Sequence, residues 1–231
     1  MSICIIPARG GSRRIPRKNI RDFFGRPMIS WPIVAAIKSA CFDRVVVSTD
    51  DDEIANVANG YGAEVPFRRR LELSDDYTPI VPVVADAIKR LKLEGEVPVC
   101  CLFATAPFVN PDDLRSGLEL LKKTDASYVI SVTTYAFPIQ RALRRTISGN
   151  IEMLEPQQIL ARSQDLEETW HDAGQFYWGK AVNWSKGKHI LSNDSQGLPI
   201  PRYRAQDIDE QEDWERAELI MSALYNRDSS D

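Results

Sequence analysis

The chain has 231 residues, 43% of them hydrophobic, enough to bury a substantial core as one large domain or a domain with a small appendage. Acidic residues outnumber basic ones 33 to 29, for a net charge of -4, and the isoelectric point is near 5.4, which argues against a protein that coats nucleic acid or anionic membrane. No apolar stretch approaches the roughly 20 residues of a membrane span, and the N-terminus opens on strand-like sequence instead of a signal peptide, so a cytoplasmic protein is expected.

In chain order, "SICIIPA" reads as a buried strand that empties into the glycine-rich, basic stretch "RGGSRRIPRKN". "PMISWPIVAAIKSA" reads as a helix with Pro32 near its start, "RVVVSTD" as a second buried strand, and "DDEIANVANGYG" as a helix with acids in its first turn and glycine at its end. "AEVPF" is expected to form a short third strand. "TPIVPVVADAIKRLKLEG" places Thr78 as N-cap and Pro79 at the first helical position, with Pro82 still inside the first turn, where no backbone donor is lost. "VPVCCLFA" is the next buried strand, "NPDDLRSGLELLKK" a helix opened by Asn110 and Pro111, and "SYVISVTT" a further strand. Hydrophobicity in these strands is continuous instead of alternating, so both faces are covered. The fold is predicted as α/β, a three-layer α/β/α sandwich with a mostly parallel, Rossmann-like sheet.

After Thr134 the alternation stops. "ALRRTISGNIEML" reads as a hairpin turning at Ser148, Gly149 and Asn150, and "RSQDLEETWHD" is too polar for core, so residues 137–172 are read as a hairpin-containing insertion within a single 1–231 domain. "GQFYWGKAV" and "LPIPRYR" are strand-like, and "EQEDWERAELIMSALY" is an amphipathic helix with Trp214, Ala217, Ile220, Met221 and Leu224 on one face. Cys4, Cys41, Cys100 and Cys101 have no CxxC spacing and no nearby histidine pair, and are read as reduced thiols in or beside the core.

Two constellations carry chemistry. The basic stretch follows the first strand, and in parallel sheets ligands bind at the carboxyl ends of strands. Gly10 and Gly11 allow close backbone approach to an anion, and Arg9, Arg13, Arg14, Arg17 and Lys18 supply donors suited to phosphate oxygens. Neither GxxxxGK[ST] nor GxGxxG is present, which excludes a Walker loop and a dinucleotide fingerprint. A basic surface loop or a nucleic-acid patch is the plain alternative. The second constellation is "QDIDEQEDW": in an extended segment Asp207 and Asp209 point the same way and could share one Mg²⁺ while Ile208 turns into the core. Alone, such a pair is equally well a solvated loop or a helix cap; paired with a cationic loop it meets the minimum for a Mg²⁺-nucleoside triphosphate.

"IIPARGGSRRIPRKNI", "FDRVVVSTDDDEIA", "ELSDD" and "QDIDEQEDWERAE" resemble the cytidylyltransferases that activate nonulosonic (sialic-acid-like) sugars; "TAPF", "FPIQRAL" and "RSQDLEETWHDAGQFYWGK" resemble specifically the pseudaminic acid branch. The resemblance covers nearly the whole chain. It implies a nucleotidyltransferase that joins CTP to the anomeric hydroxyl of an α-keto sugar acid with Mg²⁺, releasing pyrophosphate, and a homodimer in which the insertion packs against a second subunit. Carried over by position, Ala8, Arg9, Gly10, Gly11, Ser12, Arg13, Lys18, Asn19 and Arg69 would bind the nucleotide, with Arg9, Lys18 and Asp209 the groups acting on the phosphates and Asp207 and Asp209 the metal ligands. Arg68 competes with Arg69, since three arginines precede "ELSDD". Phe103, Thr105, Gln140, Arg141, Arg162, His171, Asp172 and Gln175 are the candidates for the sugar. "TAPFV" and "HDAGQF" replace the "PTSPLR" and "RPNGA" of the N-acetylneuraminate enzymes, which points to a different sugar on an intact nucleotide site.

Rival readings remain at this stage. The same chemistry on N-acetylneuraminic, legionaminic or 3-deoxy-octulosonic acid is the nearest. A glycosyltransferase using Asp50 to Asp52 as its metal motif and a non-catalytic nucleotide-binding regulator are further off. The run Asp50 to Glu53 reads better as helix N-terminal acids than as metal ligands, and no protein base is nominated.

Overall fold

The computed structural model describes residues 1–228. Strand β1 (Ile3–Pro7) is followed by the basic loop, a two-residue hairpin β2 (Asp22–Phe23) and β3 (Arg26–Pro27), and helix α1 (Ser30–Ser39). Then come β4 (Arg44–Ser48), α2 (Asp52–Gly60), α3 (Ile80–Arg90), β5 (Pro98–Leu102), α4 (Pro111–Lys123) and β6 (Tyr128–Thr134). The arm carries the hairpin β7 (Leu143–Arg145) and β8 (Ile151–Met153); β9 (Trp170–Lys180), α5 (Ala181–Ser185), β10 (Gln196–Pro199) and α6 (Gln211–Asp228) complete the chain.

The central sheet has the order β10-β6-β9-β5-β1-β4. All its neighbours pair in parallel except β9, which runs antiparallel between β5 and β6. The carboxyl ends of the five parallel strands therefore share one edge, and the start of β9 lies at that same edge. The strands bury both faces because helices cover both. One apolar cluster gathers Ile6, Ile33, Val47, Leu102 and Trp178 with α1 and α4, and another gathers Ile5, Val84, Ile88, Cys101 and Trp184 with α3 and α5.

A third cluster matters for the site. Ile15 of the basic loop, Phe23, Met28 and Phe108 pack on Ile208, Trp214, Ala217 and Met221, with Phe23 edge-on to Trp214 at 5.3 Å between centroids. Apolar burial thus ties the loop after β1 to the segment before α6, about 190 residues later in the chain.

Several expectations need correction. "AEVPF" forms no strand: Glu64 and Arg68 make only isolated bridges to Val46 and Thr49, because Pro66 removes the donor that a continuing ladder needs. Helix α3 begins one residue late, with Pro79 as N-cap, since Thr78 is drawn into a turn in which its amide and hydroxyl both donate to Asp75. "LPIPRYR" leaves the sheet at Pro199 and turns into a 3-10 helix at Arg202–Arg204. Residues 170–172, assigned from sequence to the insertion, belong to β9. Cys4, Cys100 and Cys101 are buried, Cys41 is partly buried, and all four are free thiols. Among the described residues no helix is long and apolar enough to cross a membrane.

Candidate active site

A cleft of about 300 Å³ opens at the carboxyl ends of β1 and β5, with Arg9, Ser12, Arg14, Lys18, Asn19, Arg69, Phe103, Thr105 and Asp209 among its walls. The basic loop is held in a fixed shape. The Ala8 amide donates to the Ser48 carbonyl at 2.9 Å, and the buried Asn19 donates its amide to the Arg9 carbonyl at 2.9 Å. Gly10 donates its amide to Asp50 at 3.1 Å, and a Cβ on it would stand 2.7 Å from an Asp51 oxygen. Gly10 is therefore required by packing. A Cβ on Gly11 meets nothing within 4 Å.

Every cation of the loop meets a carboxylate. Arg9 and Arg13 grip Asp76 at 2.5 and 2.9 Å, and Arg14 reaches Asp209 at 2.9 Å. Lys18 donates to the Ile208 carbonyl at 2.6 Å and to Asp209 at 3.3 Å. Arg17, with a left-handed φ of 55°, forks onto Asp51 at 2.6 and 3.0 Å and reaches Glu53. Asp51 also caps α2 by accepting from the Ile54 amide. The Arg17 guanidinium first, helped by that amide and opposed by burial, holds the Asp51 carboxyl down to about 2. With Asp52 paired to Arg68, the run Asp50 to Glu53 is spent on the helix start and the loop, as helix electrostatics predicts.

Arg69 stands apart. It is buried, only 6% exposed, its Nε and Nη2 have no hydrogen-bond partner, and Asp50 lies 3.7 Å away. Burial pulls its guanidinium down from its ordinary range. Arg68 points to Asp52 on the surface, so of the two candidates Arg69 faces the cleft. A buried guanidinium with only a long ion pair to Asp50 and no hydrogen bond at Nε or Nη2 is a donor set with room for an anion.

Ile208 is fully buried, and Asp207 and Asp209 flank it near one another. Asp207 as a residue is exposed, but the groups crowding its carboxyl, and then the charge of Asp209, push it up. Burial pushes Asp209 the same way, yet Lys18 and then Arg14 outweigh it and hold Asp209 below the ordinary carboxylate value. Among the described residues no group of three or more His, Cys, Asp or Glu side chains could hold a metal by itself. The pair offers two hard oxygen donors, the type Mg²⁺ takes.

The sugar candidates divide. Phe103 and Thr105 line the cleft, Phe103 edge-on to Tyr177 at 5.2 Å between centroids. Gln175 is buried on β9, its amide donating to the Arg204 carbonyl at 2.6 Å while its own oxygen has no partner. Asp172 accepts from the Gly174 amide at 2.8 Å and from the Tyr177 hydroxyl. His171 lies against Tyr135. Gln140, Arg141 and Arg162 sit on the arm and bond within it, to Glu167, to Ser163 and Ala161, and to Asp165; the structure does not bring these three to the cleft wall. Sequence reasoning missed Asp76 and Asp50 as partners of the loop and Tyr177 as partner of Asp172. "ELSDD" carried the signal for Asp76 but not its direction.

A family model described as cytidylyltransferase matches residues 3–213. The chain is 42% identical over 226 residues to a pseudaminic acid cytidylyltransferase of Campylobacter jejuni, covering 97% of each chain. It is 32% identical over 228 residues to a CMP-N,N'-diacetyllegionaminic acid synthase of Legionella pneumophila, covering 95% of each. A solved structure of CMP:2-keto-3-deoxy-manno-octonic acid synthetase complexed with CTP superposes with a TM-score of 0.70 at 16% identity, covering 96% of this chain and 99% of that one, a likeness of fold.

Proposed function

The chain belongs to the cytidylyltransferase family, and from that premise we propose that it couples CTP to the anomeric hydroxyl of pseudaminic acid, giving CMP-pseudaminic acid and pyrophosphate. The observation that carries the nucleotide half is the convergence of Arg9, Lys18, Arg69 and Asp209 on one cleft at the carboxyl ends of β1 and β5. Arg69 offers two donors without hydrogen bonds from a buried position, Arg9 and Lys18 add charge in the cleft wall, and Gly11 leaves room for a phosphate to approach the backbone. These groups orient the triphosphate for in-line attack at the α-phosphorus and hold the charge of the leaving pyrophosphate. Asp207 and Asp209 would hold Mg²⁺. When bound, the ion would neutralise phosphate charge and acidify the attacking hydroxyl.

The sugar half rests on identity with the pseudaminic relative and on the apolar surface that Phe103 and Ala104 present in an otherwise polar cleft. A buried hydroxyl without a partner costs about 1–3 kcal/mol, so such a wall favours a deoxygenated sugar. The arm supports a homodimer: Phe137, Ile147, Leu154 and Leu160 are largely exposed on it, and an apolar hairpin of that size needs a partner to cover it. A cytoplasmic location fits CTP as substrate. Pyrophosphate release with CTP, Mg²⁺ and a panel of pseudaminic, N,N'-diacetyllegionaminic, N-acetylneuraminic and 3-deoxy-octulosonic acids tests the proposal. Pseudaminic acid is expected to exceed N-acetylneuraminic acid by about ten- to a hundredfold in kcat/KM, the equivalent of about 1.4–2.7 kcal/mol. Equal or better use of N-acetylneuraminic acid refutes the sugar assignment; no pyrophosphate from any of them refutes the reaction.

A further inference from the structure

The partners of the basic loop are not equivalent. Asp51 caps α2 and accepts a fork from Arg17, and Asp50 accepts from the Gly10 amide. Asp209 sits beside a fully buried Ile208, with its own amide bonded to Asp213. These three are built into the frame. Asp76 is different: among the described residues its two carboxylate oxygens meet only Arg9 and Arg13, at 2.5 and 2.9 Å. The strap that carries it is also loosely attached. The Arg69 amide bonds the Thr49 carbonyl at the sheet edge, but from there to α3 the backbone bonds are local, Leu73 to Arg70 and Ser74 to Leu71. Besides Asp76 itself, an Arg70–Asp86 ion pair at 3.1 Å ties the strap to α3, and Leu71 and Tyr77 are 80% and 87% exposed.

We propose that Asp76 is an internal competitor for the phosphate-binding guanidinium groups: an incoming triphosphate displaces its carboxylate from Arg9 and Arg13, and its return displaces pyrophosphate after transfer. This rests on the reading of the cleft as a CTP site. The physical logic is exchange. Two guanidinium groups side by side repel, and a carboxylate on a movable strap neutralises them while the cleft is empty. Ligand phosphate then replaces one charge-assisted contact by another, so net affinity is lower than the contacts alone would give. Release is faster by the same factor, since the returning carboxylate stabilises the emptied state. The strap also forms one wall of the cleft through Leu73, Asp75, Asp76 and Thr78, so displacement of Asp76 and opening of the wall are one motion.

The test is Asp76→Asn, which keeps the shape and removes the charge, with Asp76→Glu as the charge-conserving control. Calorimetric titration of the full chain with inorganic pyrophosphate, and steady-state turnover with CTP and pseudaminic acid, give the readout. D76N is expected to bind pyrophosphate about tenfold more tightly and to lower KM for CTP by a similar factor, while kcat falls severalfold as pyrophosphate release slows. D76E is expected to stay within about threefold of the parent. The thermal midpoint of D76N falls without ligand and returns to the parent value at saturating pyrophosphate, whereas a structural defect would lower both. If D76N does not fold, Asp76→Ser is expected to show the same tightening. Unchanged or weaker pyrophosphate binding in the folded variant overturns the proposal, because a carboxylate that merely positions Arg9 and Arg13 would be missed by the ligand. Tighter pyrophosphate binding without any CTP turnover in the parent leaves the competitor intact and overturns the CTP reading instead.

Discussion

Adjacent glycines in the basic loop separate packing from ligand approach. In Gly10→Ala the new methyl carbon would lie 2.7 Å from the Asp51 Oδ2 and 3.0 Å from its Cβ, closer than any ordinary contact, so either the loop or Asp51 has to shift. Overpacking of this kind costs about 1–3 kcal/mol, and displacing Asp51 also disturbs the α2 cap, worth about 1 kcal/mol. A loss of about 2 kcal/mol is expected, and for a chain of this size that is about 4–8 °C in the thermal midpoint. Gly11→Ala meets no heavy atom within 4 Å, so its stability should match the parent within about 0.5 kcal/mol, while KM for CTP rises if phosphate approaches that backbone. The pH dependence gives a second check. Asp51 titrates near 2 in the folded chain against 3.8 for a free carboxyl; a depressed acid stabilises above its unfolded value and loses that contribution as pH falls toward the folded one. The gap between parent and G10A should therefore be full at neutral pH and narrow between about pH 4 and pH 2. Urea unfolding at several pH values measures both. Equal stability of G10A and parent, or equal losses in G10A and G11A, would show that the loop does not rest on Asp51.

Three other perturbations follow from the same geometry. Arg69→Met removes a buried guanidinium with unpartnered donors, so the ligand-free midpoint should hold or rise while KM for CTP increases by about tenfold or more; a lower midpoint with unchanged KM would make Arg69 structural. Asp207→Asn relieves a carboxyl whose value is pushed up by burial and by Asp209; a raised acid costs stability above its folded value, so the variant should gain stability at neutral pH and lose Mg²⁺-supported turnover, and retained turnover with unchanged Mg²⁺ dependence would remove Asp207 from the metal site. Ile147→Glu combined with Leu160→Glu puts charge on exposed apolar arm positions and should yield monomers by light scattering; a dimer of unchanged mass would place the interface elsewhere.

The sheet was readable because its strands state their environment. "ICIIP", "RVVVS" and "PVCCL" are apolar on both faces, and two covered faces leave few architectures other than a parallel sheet between helices. The direction of β9 was not readable. Its apolar residues fit either orientation, and what reverses it is the long arm, which returns the chain to the carboxyl edge where β6 ended. The break at Pro66 and the one-residue slip at Thr78 are local contests. In one a missing donor defeats strand propensity; in the other the Asp75 turn captures a residue that would otherwise cap a helix.

At the site, residue types were legible and partners were not. Five cations in one loop announce an anion, yet the acids that meet them come from positions 51, 53, 76 and 209, three different stretches that only the folded chain brings together. Charge composition could not reveal this, because a loop neutralised from within and a loop awaiting phosphate carry the same residues. What distinguishes them is satisfaction: Arg17 is paired in a fork and spent on structure, Arg9 and Arg13 are paired through one carboxylate, and Arg69 is buried with two nitrogens lacking hydrogen bonds. That gradient ranks the cations for function. A buried donor without a hydrogen bond calls for a partner, so Arg69, which the spacing to "ELSDD" selects among three consecutive arginines and which alone of them lies buried in the cleft wall, is the residue on which the anion-binding reading depends most.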